Sequence, residues 1–370
     1  MNQAQFRELF PALRATVWLD TPAAPPGADP VVQALHDVVS AWSRGEFDPH
    51  EWSAATGEAR GLFARLAGAE PGTVSGHGSL AEAAATVAAS LPGNSGEIVV
   101  AAEEFRSNLF PWAALADDGR RIVTVPARGG QTRVEDLADA VTSRTVLLAV
   151  SEVTSREGQR LDLAALRAAT DRVSARLFVN LTQSLGALRF DARAVQPDYL
   201  AVHGYKWLLC PRGAAWLVTR DDRVGELRPL APNWRSSGPP YGYFGLPMRL
   251  AGDAARCDAS PAWFSWVGAC AALRLLGSLD AGLVERHCLG LAARFTRQAA
   301  ALGLARVTDG PPSQIVVLRT DGAERLAGRL NQRGIRATSL GDRIRFGFHY
   351  FNNDHDVDRT VEALARAVRP

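Results

Sequence analysis

Lysine is almost missing from this chain of 370 residues: of its 41 basic residues, forty are arginine and Lys206 stands alone. Charge by itself therefore does not account for Lys206. A guanidinium stays protonated, whereas burial can lower the pKa of an amine until it becomes a nucleophile. Lys206 is either the remnant of a drift toward arginine or a residue kept for its nitrogen.

Other shortages narrow the class of protein. Basic and acidic residues nearly cancel, leaving a net charge of +2, and no run of like charge stands out. That argues against a nucleic acid or a charged membrane surface as partner. Nowhere do about 18 apolar residues run together, and the opening "MNQAQFRELFPALRATVWLD" has no apolar stretch behind a basic start. Neither export nor a membrane span is expected, and a cytoplasmic location is. The four cysteines, Cys210, Cys257, Cys270 and Cys288, lack a C-x-x-C spacing. They are expected as reduced, buried thiols, with neither disulfides nor a metal site.

What the chain does contain is an alternation. Short β-branched runs, "EIVVAA" at 97–102, "RIVTVP" at 121–126, "TVLLAVS" at 145–151, "RLFVNL" at 176–181, "DYLAVH" at 198–203 and "AAWLVT" at 214–219, are separated by segments of helical spacing. This pattern predicts an α/β fold, a mostly parallel sheet with helices on both faces. Residues 229–261 are rich in Pro, Gly, Ser and aromatics, too long for a plain connector, and are expected to cover a site. Helices at about 262–277, 282–302, 322–333 and 354–368 then alternate with strands at "SQIVVLRT", "IRATSL" and "RIRFGFHY", a smaller α+β unit. The expected division is a large domain at 18–261 and a small domain built from 1–17 and 262–370.

Polar residues collect where the parallel strands end, the edge at which ligands bind in such sheets. Asn180 and Gln183 follow one strand, His203 and Lys206 another, and Ser155 lies just past a third. Upstream, "SGHGSLAEAAATVAASL" sets glycines and Ser79 before an alanine-rich helix, an arrangement that suits either a phosphate or simple helix capping. A phosphate cradle, a lone lysine and strand-end polar groups together suggest pyridoxal phosphate held as a lysine Schiff base.

The segments "VNLTQSLGALRFD" and "DYLAVHGYKWLLCPRGAAWLV" resemble the cofactor-binding core of the class V aminotransferase family of fold-type I enzymes. That family includes cysteine desulfurases, kynureninases, isopenicillin N epimerase and ergothioneine C–S lyases. The likeness extends from "VWLDTPAA" at 17–24 through "EEFRSNLFPW" at 103–112 and "RCDASPAWFSWVGA" at 256–269 to "RIRFGFHYFNN" at 343–353, in order over almost the whole chain. It implies a large domain built on a seven-stranded, mostly parallel sheet and a smaller C-terminal α+β domain. Lys206 becomes the Schiff-base lysine and the proton shuttle at the substrate Cα. Gln183 is expected on the cofactor's phenolic oxygen, joined by Ser155, where the family often has Asn. Ser79, the backbone at Leu80, and His203 are expected on the phosphate. Arg345 matches the arginine that grips the substrate carboxylate. Ser260 lies where a partner subunit usually reaches the phosphate, which implies a homodimer with shared active sites.

Three departures from the family shape the expected chemistry. Asn180 replaces the aspartate that keeps the pyridine nitrogen protonated, so the electron sink is expected to be weaker and expulsion of a leaving group from Cβ to gain over transamination. Phe105 takes the ring-stacking position that desulfurases fill with His; it can stack but cannot move a proton, while Arg106 beside it could replace that function or recognise an acidic substrate group. The stretch "GIRATSLGDRIRF" lacks the cysteine that carries sulfur in desulfurases. A lyase cleaving the Cβ–S bond of a cysteine S-conjugate is the preferred expectation, with Trp234, Tyr241, Tyr243 and Phe244 covering the conjugate. The rivals are oxidative decarboxylation with deamination of such a conjugate, aminotransferase or epimerase activity, and a catalytically silent protein of the same fold that serves as a binding partner.

Overall fold

The structure is a computed structural model that describes residues 1–239 and 243–368. Tyr241, one of the aromatics expected to cover the site, lies outside the described residues.

Seven strands form the central sheet: β1 (Val74–His77), β2 (Glu97–Ala101), β3 (Arg121–Val125), β4 (Thr145–Ser151), β5 (Arg176–Asn180), β6 (Tyr199–His203) and β7 (Ala215–Thr219). Their spatial order is β1-β7-β6-β5-β4-β2-β3. Only β7 runs against its neighbours; the remaining pairings are parallel. Strands β2, β5, β6 and β7 are apolar through nearly their whole length because helices cover both faces, and such a strand has no solvent side to make polar. Of these seven, the strand absent from the sequence reading is β1, whose "VSGH" is short and polar.

Helix Leu80–Ser90 starts immediately past β1, capped by Ser79, whose Oγ accepts the Glu82 N–H at 3.2 Å. The capping reading of the Gly/Ser segment thus holds, and the same geometry leaves this helix end at the sheet's carboxyl edge. Helices Asp29–Arg44, Pro49–Ala67 and Trp263–Gly277 pack together, with Ala59, Phe63, Trp266, Ala269 and Leu273 in the main core. The small domain is expected to begin at residue 262, and the main core runs on through helix 263–277 to Val284, Cys288, Ile315 and Val317. The apolar residues of 263–277 bury against helices Asp29–Arg44 and Pro49–Ala67.

Beyond it, β8 (Ile315–Arg319), β9 (Thr338–Ser339) and β10 (Arg343–Gly347) form an antiparallel sheet in the order β9-β10-β8. Helices Ala281–Ala300, Ala323–Gln332 and Asp354–Val368 bury its face through Phe295, Leu330, Leu364 and their neighbours. Strand alternation puts Ile344 and Phe346 into that core and turns Arg343 and Arg345 the other way, toward the large domain. The N-terminal segment is tied to the last helix by a two-pronged Arg7–Asp356 pair at 2.8 and 3.1 Å. Among the described residues, no single helix is long and apolar enough to cross a membrane.

Candidate active site

Two adjoining cavities open where β4, β5 and β6 end and the small sheet approaches. One, of about 190 Å³, is lined by Ser79, Leu80, Asn180, Thr182, His203 and Arg212, among others. The second, of about 710 Å³, is bounded by Pro22, Arg106, Arg156, Leu340, Gly341 and Arg345. Phe105, Ser155, Tyr205 and Lys206 border both.

Lys206 sits at this junction, 5% exposed. No carboxylate forms an ion pair with it among the described residues. Its Nζ lies 5.4 Å from the Phe105 ring centroid and 5.6 Å from that of Tyr205. Burial, reinforced by the Arg345 guanidinium, lowers its pKa to about 7, with Asp20 pulling the other way. An amine in this setting has a substantial free-base fraction near neutral pH, the state that condenses with an aldehyde. A guanidinium in the same place would stay protonated.

The narrow cavity has the chemistry of an anion site at one end. The backbone start of helix Leu80–Ser90, the Ser79 hydroxyl and the Arg212 guanidinium border it. His203 is buried with no partner on Nε2, and burial, then Arg212 and Lys206, push its pKa down to about 4. A buried imidazole nitrogen left unpaired beside a helix N-terminus fits a missing phosphate oxygen or its hydrogen.

Gln183 differs from expectation. Its amide hydrogens go to Pro22 O at 3.0 Å and Ser155 Oγ at 3.2 Å, and its Oε1 accepts Trp207 Nε1–H at 2.9 Å. The side chain that was expected to meet the cofactor's phenolic oxygen is committed to the protein, and it is Ser155 that borders the cavities. Gln183 thus stands one layer back, holding the serine.

Arg345 is buried, its Nη1 donating to Ser155 O at 2.6 Å while its Nε has no partner. The fork is anchored at one prong and free at the other. Arg106 is exposed at the mouth of the wide cavity, and Arg156 pairs with Glu103 there. Asp20, reached by Thr338 Oγ1–H at 2.7 Å, is close enough to Lys206 and Arg345 to feel both, and burial raises its pKa. Asp20, Tyr205, Arg212 and Thr182 were not among the sequence candidates. Tyr205 and Arg212 flank the lysine in "GYKWLLCPRG", and the ring and guanidinium meet at 4.9 Å.

Two expected residues stand apart. Ser260 is exposed and borders neither cavity. Tyr243 is 60% exposed and leans on Trp234 at 5.5 Å between ring centroids. The aromatic loop was expected to cover the site, but within its described residues Phe244, Leu246 and Met248 point outward to solvent, at 97%, 91% and 65% exposure. Asn233 Nδ2 on Asp258 O and the Ser237–Leu250 bridge tie the loop to itself, and Asp258, which accepts the Gly76 N–H and pairs with Arg60, ties it to β1 and helix Pro49–Ala67.

All four thiols are buried, and burial raises each pKa, to about 12 for Cys257 and Cys270. None borders either cavity among the described residues. No group of three or more His, Cys, Asp or Glu that could hold a metal is found among the described residues.

Comparison with known proteins places this geometry. The model for aminotransferase class-V matches residues 17–360. An uncharacterized aminotransferase of Bacillus subtilis (strain 168), YcbU, is 28% identical over 366 residues, 98% of this chain and 97% of the relative. A probable cysteine desulfurase of Methanothermobacter thermautotrophicus is 30% identical over 237 residues, 62% of this chain and 59% of its own. Among solved structures, the cystine C–S lyase C-DES in complex with its product cysteine persulfide superimposes with a TM-score of 0.87 at 23% identity, covering 96% of this chain and 99% of that one. The shared architecture is the fold-type I arrangement that the sequence led one to expect.

Proposed function

This chain belongs to the class-V aminotransferase family, and on that premise we propose that it is a pyridoxal-phosphate-dependent lyase that cleaves the Cβ–S bond of a cysteine S-conjugate. The overall balance consumes one water and yields the thiol, pyruvate and ammonia. Pyridoxal phosphate, when bound, supplies the electron sink for the pair left at the substrate Cα.

The protein's own groups divide the remaining work. Lys206 takes the Cα proton as free base and returns a proton where the leaving group departs. Ser79, the Leu80 backbone, His203 and Arg212 would hold the phosphate, Asn180 the ring nitrogen, Phe105 the ring face and Ser155 the phenolic oxygen. The free prong of Arg345 takes the substrate carboxylate in a charge-assisted bond. The wide cavity, walled by Pro22, Phe105 and Leu340, receives the sulfur substituent, with Arg106 at its mouth.

One observation carries the choice of reaction: Lys206 is buried at a junction that, among the described residues, holds no thiol. Leu340 and Gly341, from the very segment in which a desulfurase carries its cysteine, border the wide cavity and present no sulfur. With no protein thiolate to receive it, sulfur leaves with the rest of the conjugate as a thiolate, a good leaving group that asks little of a moderate electron sink. A homodimer belongs to the same proposal, with exposed Ser260 serving the neighbouring subunit's phosphate site.

The test is anaerobic incubation of the holoenzyme with a panel of cysteine S-conjugates. Equal amounts of thiol and pyruvate are expected. The keto acid of the intact conjugate, a configurational inversion alone, or carbon dioxide and aldehyde formed only with oxygen would each contradict the proposal.

A further inference from the structure

Behind Asn180 runs a line of buried polar groups that the proposed reaction does not use. Asn180 Oδ1 accepts the backbone N–H of Thr182 at 2.9 Å, and Asn180 Nδ2 donates to Ser151 Oγ at 2.9 Å. Ser151 Oγ donates in turn to Glu104 Oε1 at 2.9 Å, an oxygen that also accepts the Phe105 N–H at 2.7 Å. The direction of the line follows from its fixed end. A backbone N–H can only donate, so Thr182 requires Oδ1 on its side and turns Nδ2 toward Ser151. With its lone pair engaged by that amide, the serine passes its own proton to the carboxyl oxygen.

The fold builds this line deliberately. Ser151 and Asn180 are register partners at the ends of β4 and β5, so their side chains lie side by side. Glu104 follows β2, the neighbour of β4 on its other side. Glu104, Ser151 and Asn180 are 8%, 1% and 2% exposed, and among the described residues Glu104 has no ion-pair partner. A carboxyl group buried without a cation is costly and is retained only when it serves something. Burial pushes the Glu104 carboxyl above its ordinary value, the Phe105 N–H and the Ser151 hydroxyl pulling it back.

We propose that Glu104 is a positioning residue: acting through Ser151, it holds and polarises the Asn180 amide in the orientation that the Thr182 N–H sets, so that the ring nitrogen of pyridoxal phosphate meets a fixed amide with a carboxyl group two hydrogen bonds behind it. Hydrogen bonds in series strengthen one another in a low-dielectric interior. The arrangement supplies, at one remove, part of what a direct carboxylate would give. The inference rests on the reading of Asn180 as the ring-nitrogen partner.

The experiment is the ¹⁵N resonance of holoenzyme loaded with pyridoxal phosphate labelled at the ring nitrogen. Glu104→Gln and Ser151→Ala are expected to move that resonance in the same direction, and Ser151→Thr, which keeps the hydroxyl, to leave it near the wild-type position. Asn180→Ala is expected to move it furthest. A resonance unmoved in Asn180→Ala contradicts the underlying reading of Asn180 and the relay with it. A shift in Asn180→Ala with none in Glu104→Gln and Ser151→Ala overturns the relay alone, as does Ser151→Thr behaving like Ser151→Ala.

Discussion

Lys206 Nζ lies 5.4 Å from the centroid of the Phe105 ring, and that ring is itself 45% exposed at the cavity edge. The amine therefore has a π-surface, and no ion-paired carboxylate, beside it; the weak attraction of that face and of Asp20 leaves desolvation to dominate. Everything proposed for the reaction starts from this pairing of a buried nitrogen with an aromatic lid.

The rate of pyridoxal phosphate capture should follow the free amine. With the Lys206 pKa lowered to about 7, the rate constant is expected to rise as pH climbs through 7 and to level off above it. Stopped-flow absorbance of the apoprotein checks this; a midpoint near 10, the value of an ordinary lysine, would show that burial does not tune the amine.

The same shift has a thermodynamic sign. An unfolded chain binds the lysine proton below about pH 10.5, the folded chain only below about 7, so the folded apoprotein is penalised increasingly between those values and fully below 7. Lys206→Met removes the penalty. Denaturant titration of the apoprotein should show a gain of a few kcal/mol at pH 6 that fades toward pH 11; a loss at pH 6 would mean that the amine is well solvated or paired.

Arg345→Lys keeps the charge but gives up the fork. Since one prong is spent on Ser155 O at 2.6 Å, an ammonium cannot hold both that carbonyl and a carboxylate in the same geometry. We expect kcat/KM to fall by about 10²- to 10³-fold, largely in KM. An unchanged KM in steady-state kinetics would remove Arg345 from the carboxylate site.

Gln183→Leu tests the displaced role of the glutamine. It leaves Trp207 Nε1–H and Pro22 O without a partner in a buried setting and frees Ser155 Oγ at the cavity edge. A stability loss of about 2–4 kcal/mol is expected in the apoprotein, before any cofactor is added. A variant of wild-type stability that only binds pyridoxal phosphate weakly would restore the direct contact.

Much of this site was legible before the structure, for identifiable reasons. Five of the seven large-sheet strands, β2 and β4 to β7, are buried on both faces and so appear as apolar runs, and the ends of β5 and β6 mark Asn180 and His203, whereas the largely exposed β3 is legible by its β-branched residues alone. Lys206 was visible through scarcity alone. What escaped depends on distant chain segments. In "EEF" one glutamate is exposed and the next is buried, a distinction made by the Ser151 hydroxyl and not by local pattern. Asp20 follows a two-residue strand, Val17–Trp18, too short to register as one. The direction of Gln183 is decided by Pro22 and Trp207, which local sequence cannot bring together, and the outward turn of the 229–261 aromatics by anchors near Asp258.

A chain with a single lysine makes the most direct measurement unusually clean. Holoenzyme reduced with borohydride, digested and mapped by mass spectrometry has only two primary amines to offer, Lys206 and the N-terminus. The account predicts one reduced pyridoxyl group per chain, on the peptide containing Lys206, with loss of the visible band of the bound cofactor. A label on the N-terminal peptide, or none at all, would contradict it.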